Sequence, residues 1–339
     1  MNTFLDKLKK HIPVPKMISF NHAGIDIGLD HIRHISFRDE DGKLLVDQFG
    51  VENITHTIDK NKSLTDNDEV IEILKKIQKK FKYKYVKVSL PEEIAYVYTQ
   101  EVDNTDPASI RSQIEFKMEE NVPIKAEDTV FEYVDVLDLK NDKKLISVSV
   151  VSKKNIEDYI ETFKKANMEV ISFLIQNQAL SKSLIRSDDN NSYCVVAIEK
   201  TYVVVSIISS DIVLYTSTIN KSLFDDNLNL QRKEILEEVI KDIYRIMIFW
   251  ISYIEQNKSY GFDKIKSIIV SSTYSNIIES EFINMMTDKL AIQIDKPNVW
   301  TNVTDFSDQV PPINKTDSYQ YATAIGLTLS KTKPKTKSK

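Results

Sequence analysis

The sequence contains a single cysteine and no surplus of positive charge. Cys194 lies in the apolar run 193–198, so we expect a packed core thiol there, and one cysteine can form no internal disulfide. The absence of disulfides is typical of a reducing compartment and predicts a cytoplasmic protein. The formal net charge of -5 argues against general nucleic-acid binding.

Long apolar runs are also missing. The longest candidate, residues 243–254, is interrupted by Arg245, whereas a membrane-spanning helix needs roughly 20 apolar residues. Residues 1–10 lack the apolar segment of a secretion signal. We therefore predict no transmembrane span and no export signal.

Glycine is scarce, and its placement is informative. The chain has 6 glycines, where average usage predicts roughly 24. Two of them, Gly24 and Gly28, flank Ile25-Asp26-Ile27, and a residue without Cβ lets backbone amides approach a ligand closely. A carboxylate such as Asp26 is unfavourable on an apolar strand unless a metal ion, a phosphate group with its cation, or water meets it. The stretch is therefore predicted to form the first strand of a β-hairpin that carries a functional acid.

The same order of elements occurs twice. Apolar runs predict three strands within residues 24–49, with a turn at 38–42, then a helix capped by Thr65 or Asp66 and a strand at 85–90. A second three-strand run, at 193–198, 203–208 and 212–218, follows the linker 187–192 and precedes a long helix at 230–256. This repetition predicts a duplicated α/β fold.

A different pattern lies between the two halves. Asp106 and Pro107 predict a helix start, and the helix is followed by two strands joined by the charged turn 140–144. We predict an inserted α+β subdomain at 91–174, with exposed edges suited to docking. The other predicted divisions are an N-terminal extension (1–19), a first domain (20–90, rejoined by 175–190), a second domain (191–330) and a disordered basic tail (331–339).

Together these features resemble the duplicated actin/Hsp70/RNase H-like fold of the α/β class. The segment 24–28 resembles the first phosphate motif of that fold. Segments 90–93, 114–116 and 121–124 are similar to the inserted subdomain of the type IV pilus assembly protein PilM family, and 321–329 resembles its closing segment. The resemblance runs in consistent order from about residue 20 to 330, and implies an FtsA/PilM-type inserted subdomain.

The resemblance also implies a cleft for ATP and Mg²⁺, with Asp26 as the metal-coordinating acid. This sequence departs from the pattern, because Asp30 places a negative charge in the first phosphate loop and Glu199 places another in the second. The adenosine motif has Ser272 and Thr273 where paired glycines are usual. The residues matched to the nucleotide motifs are Gly24, Asp26, Gly28, Ala197, Glu199, Ser271, Ser272 and Thr273.

These departures predict that ATP binding is weak or lost and that the protein is a pseudo-ATPase. A lysine of the family's first phosphate loop is absent, and Arg33 or Lys200 is the cation that could replace it. An active ATPase or sugar-kinase-like enzyme is the alternative. It would need a second acid opposite Asp26, and the matching turn has Ala197 there.

As a function, the resemblance implies a scaffold in the assembly platform of a type IV pilus or a type II secretion-like system, peripheral to the inner face of the cell membrane. Its partner would be the N-terminal cytoplasmic tail of a PilN-like membrane protein. We expect that tail near Leu90, Ile94, Ile114 and Met118, while self-association is left open. An FtsA-like cell-division protein is a further alternative, but residues 331–339 carry five lysines and no apolar face.

Overall fold

The computed structural model describes residues 21–55, 63–221, 232–274, 281–304 and 309–329. Its first sheet has five strands in the order β3-β2-β1-β4-β8. Strands β1, β2 and β3 are antiparallel, and β4 and β8 run parallel to β1. Their bounds are β1 His22–Ile27, β2 His31–Glu40, β3 Lys43–Asn53, β4 Tyr85–Leu90 and β8 Glu169–Ile175. The predicted N-terminal extension and basic tail lie outside the described residues.

The turn between β2 and β3 is the one predicted from the sequence. Asp41 and Gly42 have φ values of 54° and 84°, the left-handed conformations that a tight hairpin of this hand requires. This part of the sequence prediction is confirmed.

Four helices cover the first sheet: α1 Asp68–Phe81, α3 Lys153–Lys165, α4 Gln176–Leu184 and α8 Ala322–Thr328. Asn67 caps α1, since its side chain accepts the Val70 N–H at 3.1 Å. The predicted cap at Thr65 or Asp66 is therefore wrong, because both residues lie in a 3₁₀ turn just before the helix.

The inserted subdomain is a three-stranded antiparallel sheet in the order β5-β7-β6, with α2 Pro107–Asn121 on one face. Its strands are β5 Ala95–Asp103, β6 Thr129–Asp138 and β7 Lys143–Ser152. The predicted helix start is confirmed, because the Asp106 side chain accepts the N–H groups of Ala108 and Ser109.

The predicted subdomain boundary at residue 174 extends too far along the chain. Helix α3 places Tyr159 and Phe163 in the core under the first sheet, and β8 pairs with β4 of that sheet. The local pattern of 153–174 predicts a helix and a strand correctly but cannot identify the sheet they join.

The second sheet repeats the first, with the order β11-β10-β9-β12-β13. Its strands are β9 Ser192–Ile198, β10 Val203–Ser209, β11 Ile212–Ile219, β12 Ile265–Ser272 and β13 Ile294–Asp295. Helices α5 Arg232–Gln256 and α6 Glu281–Leu290 contribute to its core. A short helix, α7 Lys315–Ser318, and a 3₁₀ turn precede α8. The duplicated fold is confirmed.

Gly24 allows α8 to pack closely against β1. A Cβ added at Gly24 would lie 2.1 Å from the carbonyl oxygen of Ala324, and one added at Gly326 would lie 1.8 Å from that of Ala179. Only glycine permits such contacts between backbones. Helix packing is thus one structural reason for Gly24, while the ligand cradle inferred from the sequence stays a prediction.

Candidate functional site

The two halves of the molecule meet at two short turns. The β1–β2 turn is closed by the Gly28 N–H, which donates to the His31 carbonyl at 2.9 Å. The β9–β10 turn is closed in the same way by the Glu199 N–H, which donates to the Tyr202 carbonyl at 2.9 Å. Both turns contain an acidic side chain, and a cleft lies between them.

Asp30 joins the halves across this cleft. Its carboxylate accepts a hydrogen bond from the Tyr274 hydroxyl at 2.7 Å and lies 3.2 Å from Lys200 Nζ, and both partners belong to the second half. Nδ1 of His31 lies 2.6 Å from the same carboxylate. Burial alone would raise the pKa of Asp30, but the hydrogen bonds from His31 and Tyr274 lower it to about 2. Asp30 is therefore an anion held by three partners.

Asp26 is buried at the end of β1, opposite Arg33 of β2. The Ser89 hydroxyl of β4 donates to Asp26 Oδ1 at 2.5 Å. Burial raises the pKa of Asp26 above its usual value, against the lowering effects of Arg33 and Ser89. Ser89 and Arg33 thus offset part of the cost of burying a carboxylate at this position.

Arg33 occupies the space beside the first turn. It is 2% exposed, and its guanidinium Nη1 would lie 3.2 Å from a Cβ added at Gly28. Its Nε has no hydrogen-bond partner among the described residues. The Arg33 guanidinium therefore lies within the sheet at the first turn, opposite Asp26.

Glu199 faces the same cleft from the second half. The Gln176 side-chain amide at the start of α4 donates to Glu199 Oε1 at 2.5 Å. Burial, together with repulsion from Asp26, raises the pKa of Glu199 to about 7. Ala197 is buried on β9 opposite Val204 and brings no polar group to the site.

The segment matched to the adenosine motif is used in part by the fold. Ser271 and Ser272 are buried at the end of β12, and the Ser272 hydroxyl donates to the Ile198 carbonyl at 3.1 Å. Thr273 instead borders a cavity of about 260 Å³ between the halves, lined by His31, Arg33, Thr273, Tyr274, Thr316, Asp317 and Gln320. Of the predicted motif, Thr273 is the residue that lines this cavity.

This arrangement matches a magnesium nucleotide poorly. Ligand pockets usually enclose roughly 300–1,000 Å³, more than the described cavity of about 260 Å³. Asp26 is bonded to Ser89, and Lys200 is paired with Asp30. No group of three or more acidic, histidine or cysteine side chains suited to a metal ion occurs within the described ranges.

Most of the residues expected to bind a partner are in the core. Ile114 and Met118 are fully buried between α2 and the three-stranded sheet, and Leu90 is 2% exposed. We exclude Ile114 and Met118 from the candidate surface, because the subdomain core would have to open to expose them. Ile94 is partly buried against the first core and remains accessible.

Sequence reasoning missed three partners in the cleft, namely Ser89, Gln176 and Tyr274. Each contacts one of the candidate acids. Tyr274 follows directly on the segment 271–273, and this proximity is the one sequence signal that could have identified it. Ser89 and Gln176 are ordinary polar residues whose roles depend on long-range packing.

Two α/β sheets of one topology, facing each other across a cleft, with a subdomain inserted after β4 of the first half, place the chain in the actin-like class of folds. The family model described as type IV pilus assembly protein PilM matches residues 24–221. The chain therefore belongs to this family. A search of curated proteins found no match.

Solved structures agree on the fold. A structure titled "PilM-PilN type IV pilus biogenesis complex" matches with a TM-score of 0.75 at 11% identity, over 91% of this chain and 98% of that one. The ethanolamine utilization protein EutJ from Carboxydothermus hydrogenoformans matches with a TM-score of 0.50 at 12% identity, over 94% and 91% of the two chains. No helix within the described ranges is long and apolar enough to cross a membrane.

Proposed function

We propose that this chain is a scaffold of a type IV pilus assembly platform, located at the cytoplasmic face of the inner membrane, which binds the N-terminal tail of a PilN-like protein without using nucleotide. The family match over residues 24–221 and the likeness to a PilM–PilN complex support the assembly role. The proposed scaffold does not hydrolyse ATP.

The observation that carries the loss of nucleotide use is the contact of Asp30 with Tyr274 and Lys200. The cation Lys200 and the anion Asp30 therefore neutralise each other within the cleft, and Tyr274 donates a further hydrogen bond to Asp30. A nucleotide would bring about four negative charges to this place. It would have to displace the Lys200 ion pair and approach the Asp30 carboxylate, joined above about pH 7 by that of Glu199, so like-charge repulsion opposes its entry.

Calorimetric titration of the full chain with ATP and Mg²⁺ tests this part. We expect no saturable heat at nucleotide concentrations below the millimolar range, for wild type and for Asp26→Ala alike. Micromolar binding that Asp26→Ala abolishes would contradict the proposal, as would phosphate release above background.

The partner tail is assigned to the junction of the first domain and the inserted subdomain. Strand β6 is at the edge of its sheet, where Val130 and Val134 are 43% and 46% exposed. An edge strand offers main-chain groups to an extended peptide, and neighbouring apolar side chains give specificity. Ile94 offers accessible apolar surface where the subdomain joins β4.

Fluorescence anisotropy with a labelled N-terminal peptide of the PilN-like protein tests this assignment. We expect Ile94→Asp to weaken binding about tenfold, since an apolar contact of that size is worth roughly 1.5 kcal/mol. The matched control is Ile248→Asp, because Ile248 is 41% exposed on α5 in the other half. Equal loss of affinity in both variants would refute the assignment of the tail to this junction. So would unchanged affinity in Ile94→Asp while circular dichroism shows a native fold.

A further inference from the structure

A cluster of exposed lysines lies at one end of the first sheet. We name as the lysine face the six exposed side chains near the ends of α1 and α3: Lys79, Lys80, Lys82, Lys84, Lys164 and Lys165. Residues 79–84 and 164–168 contain no acid, although the whole chain has a net charge of -5. Ion pairing on this face is recorded among the described residues for Lys165, with Glu161 at 3.5 Å.

Strand pairing explains why these lysines come together. Tyr85, the first residue of β4, is paired with His22 of β1 and with Glu169 of β8. The first residues of three parallel strands therefore lie side by side, and the preceding helices α1 and α3 end just above them. Residues 79–84 and 164–165 are thus placed on one surface although about 80 residues separate them in sequence.

Both ends of the described chain are located at the same place. Nε2 of His22 lies 3.3 Å from the carbonyl oxygen of Thr328, which joins the start of β1 to the end of α8. The sequence that continues from these points is lysine-rich on both sides. Residues 7–16 carry Lys7, Lys9, Lys10 and Lys16, and residues 331–339 carry five more lysines.

We propose that the lysine face is a docking surface for an anionic phospholipid membrane. Clusters of four to eight Lys or Arg residues bind anionic headgroups by summed electrostatic attraction. Six exposed ammonium groups, among which Lys165 is paired with Glu161, have the charge to do so without any apolar insertion. Two aromatic rings lie under the array, with Lys80 Nζ 4.7 Å from the Phe81 ring centroid and Lys84 Nζ 5.1 Å from that of Tyr85.

This inference adds an orientation to the proposed location at the membrane and rests on that location. Leu90, beside the assigned partner junction, ends the strand that Lys84 precedes. A partner tail reaching that junction from the membrane would cross the length of β4, about 20 Å, which roughly six extended residues can span. Lipid docking and tail binding therefore use opposite ends of the first domain.

Flotation of the full chain with lipid vesicles tests the inference. We expect binding to vesicles of phosphatidylglycerol and phosphatidylcholine, none to phosphatidylcholine alone, and a decrease at high salt because the charges are exposed. Combined charge reversal at three positions of the face should lower the bound fraction about tenfold or more: Lys79→Glu, Lys82→Glu and Lys164→Glu.

The matched control has the same net charge and reverses three exposed lysines of the inserted subdomain: Lys117→Glu, Lys125→Glu and Lys140→Glu. We expect it to retain vesicle binding within about twofold. An equal decrease in both triple variants would overturn the inference, because net charge would then explain the binding. So would binding that is lost on deletion of 331–339 but unchanged in the first triple variant.

The partner peptide separates this inference from the proposed function. The lysine-face variant should bind the PilN-like tail as the wild type does, because the junction at Ile94 is untouched. If the wild type floats with anionic vesicles but binds no tail, the proposed function fails and the lipid surface stands. Equally strong binding to an oligonucleotide that is lost in the same triple variant would overturn the inference of a membrane surface, because the lysine face would then bind polyanions in general.

Discussion

The two halves of the molecule share one topology but differ in chemistry at equivalent positions. In the first half, Asp26 precedes the last residue of β1 and lies opposite Arg33. In the second half, Ala197 precedes the last residue of β9 and lies opposite Val204. Both hairpins nevertheless close with the same type of backbone hydrogen bond at the turn.

The second hairpin forms without the buried polar residues that the first hairpin contains. Strand β9 consists of buried residues throughout, so apolar side chains alone are sufficient to build this hairpin. The polar pair of the first half is therefore not required by the topology. A buried charge is retained only with compensating partners, and here Ser89 and Arg33 provide them.

The largest expected effect concerns a glycine that has no counterpart in the second half. Val195 occupies the position in the second half that Gly24 occupies in the first, where Gly24 packs against the Ala324 carbonyl of α8. Gly24→Ala would force a backbone shift and should lower the free energy of unfolding by about 3 kcal/mol in urea titration. Gly28→Ala is the matched control, since its nearest neighbour is the end of the Arg33 side chain at 3.2 Å. Equal effects of the two would contradict the packing argument.

The acids of the two turns should respond to neutralisation in opposite directions. The pKa of Asp30 falls from 3.8 to about 2, so its stabilising contribution is present above pH 3.8 and is lost as the pH falls through about 2. The pKa of Glu199 rises from 4.5 to about 7, so stability is lost as the pH rises through about 7. Near pH 8, Glu199→Gln should stabilise by about 2 kcal/mol and Asp30→Asn should destabilise by about 1 kcal/mol.

Urea unfolding of both variants at several pH values measures this difference. Above pH 7 the two changes in free energy should have opposite signs, and below pH 4.5 the effect of Glu199→Gln should disappear. If both variants were destabilised equally across the range, the assignment of a strained acid to the second turn would be incorrect.

The sequence predicted what depends on neighbours along the chain and missed what depends on distant contacts. The Asp41–Gly42 turn, the Asp106 cap and the repeated strand pattern follow from local rules and are confirmed. The packing of Gly24 against Ala324 was missed because the two residues are 300 positions apart. The contact between Asp30 and Tyr274 was invisible for the same reason, since it spans 244 positions.

A smaller effect on stability is expected at the residue pair next to Asp26 and Arg33 in the first hairpin. His34 lies opposite Ile25, whereas the matching position of the second half is Val205. Burial, together with repulsion from Lys80, lowers the pKa of His34 from 6.5 to about 4. Stability contributed by neutral His34 is therefore present above pH 6.5 and is lost as the pH falls towards 4, by about 2 kcal/mol near pH 5.

The variant His34→Val, which copies the second half, should remove this dependence. Buried acids with raised pKa values act in the opposite direction over the same range, so the informative quantity is the difference between variant and wild type at each pH. That difference should grow as the pH falls from 6.5. A difference that stays constant with pH would show that His34 has the same pKa in the folded and unfolded states.

The smallest expected effect is a gain of nucleotide affinity when the cross-cleft contact is removed. Asp30→Ser eliminates one like charge and removes the contacts that the Asp30 carboxylate makes with Lys200 and with the Tyr274 hydroxyl. We expect ATP with Mg²⁺ to bind at most about tenfold more tightly than to wild type, a change of roughly 1.4 kcal/mol. The gain is limited because the second half still has Ala197 in place of a metal-facing acid and still carries the additional acid Glu199. His31→Ala, which removes a different partner of Asp30 and leaves Lys200 paired, is the control and should not change affinity by more than about twofold. A hundredfold gain in Asp30→Ser would mean that the Asp30 contact alone closes an otherwise intact nucleotide site. The low affinity for nucleotide would then result from the single side chain of Asp30 rather than from the residues of the second turn.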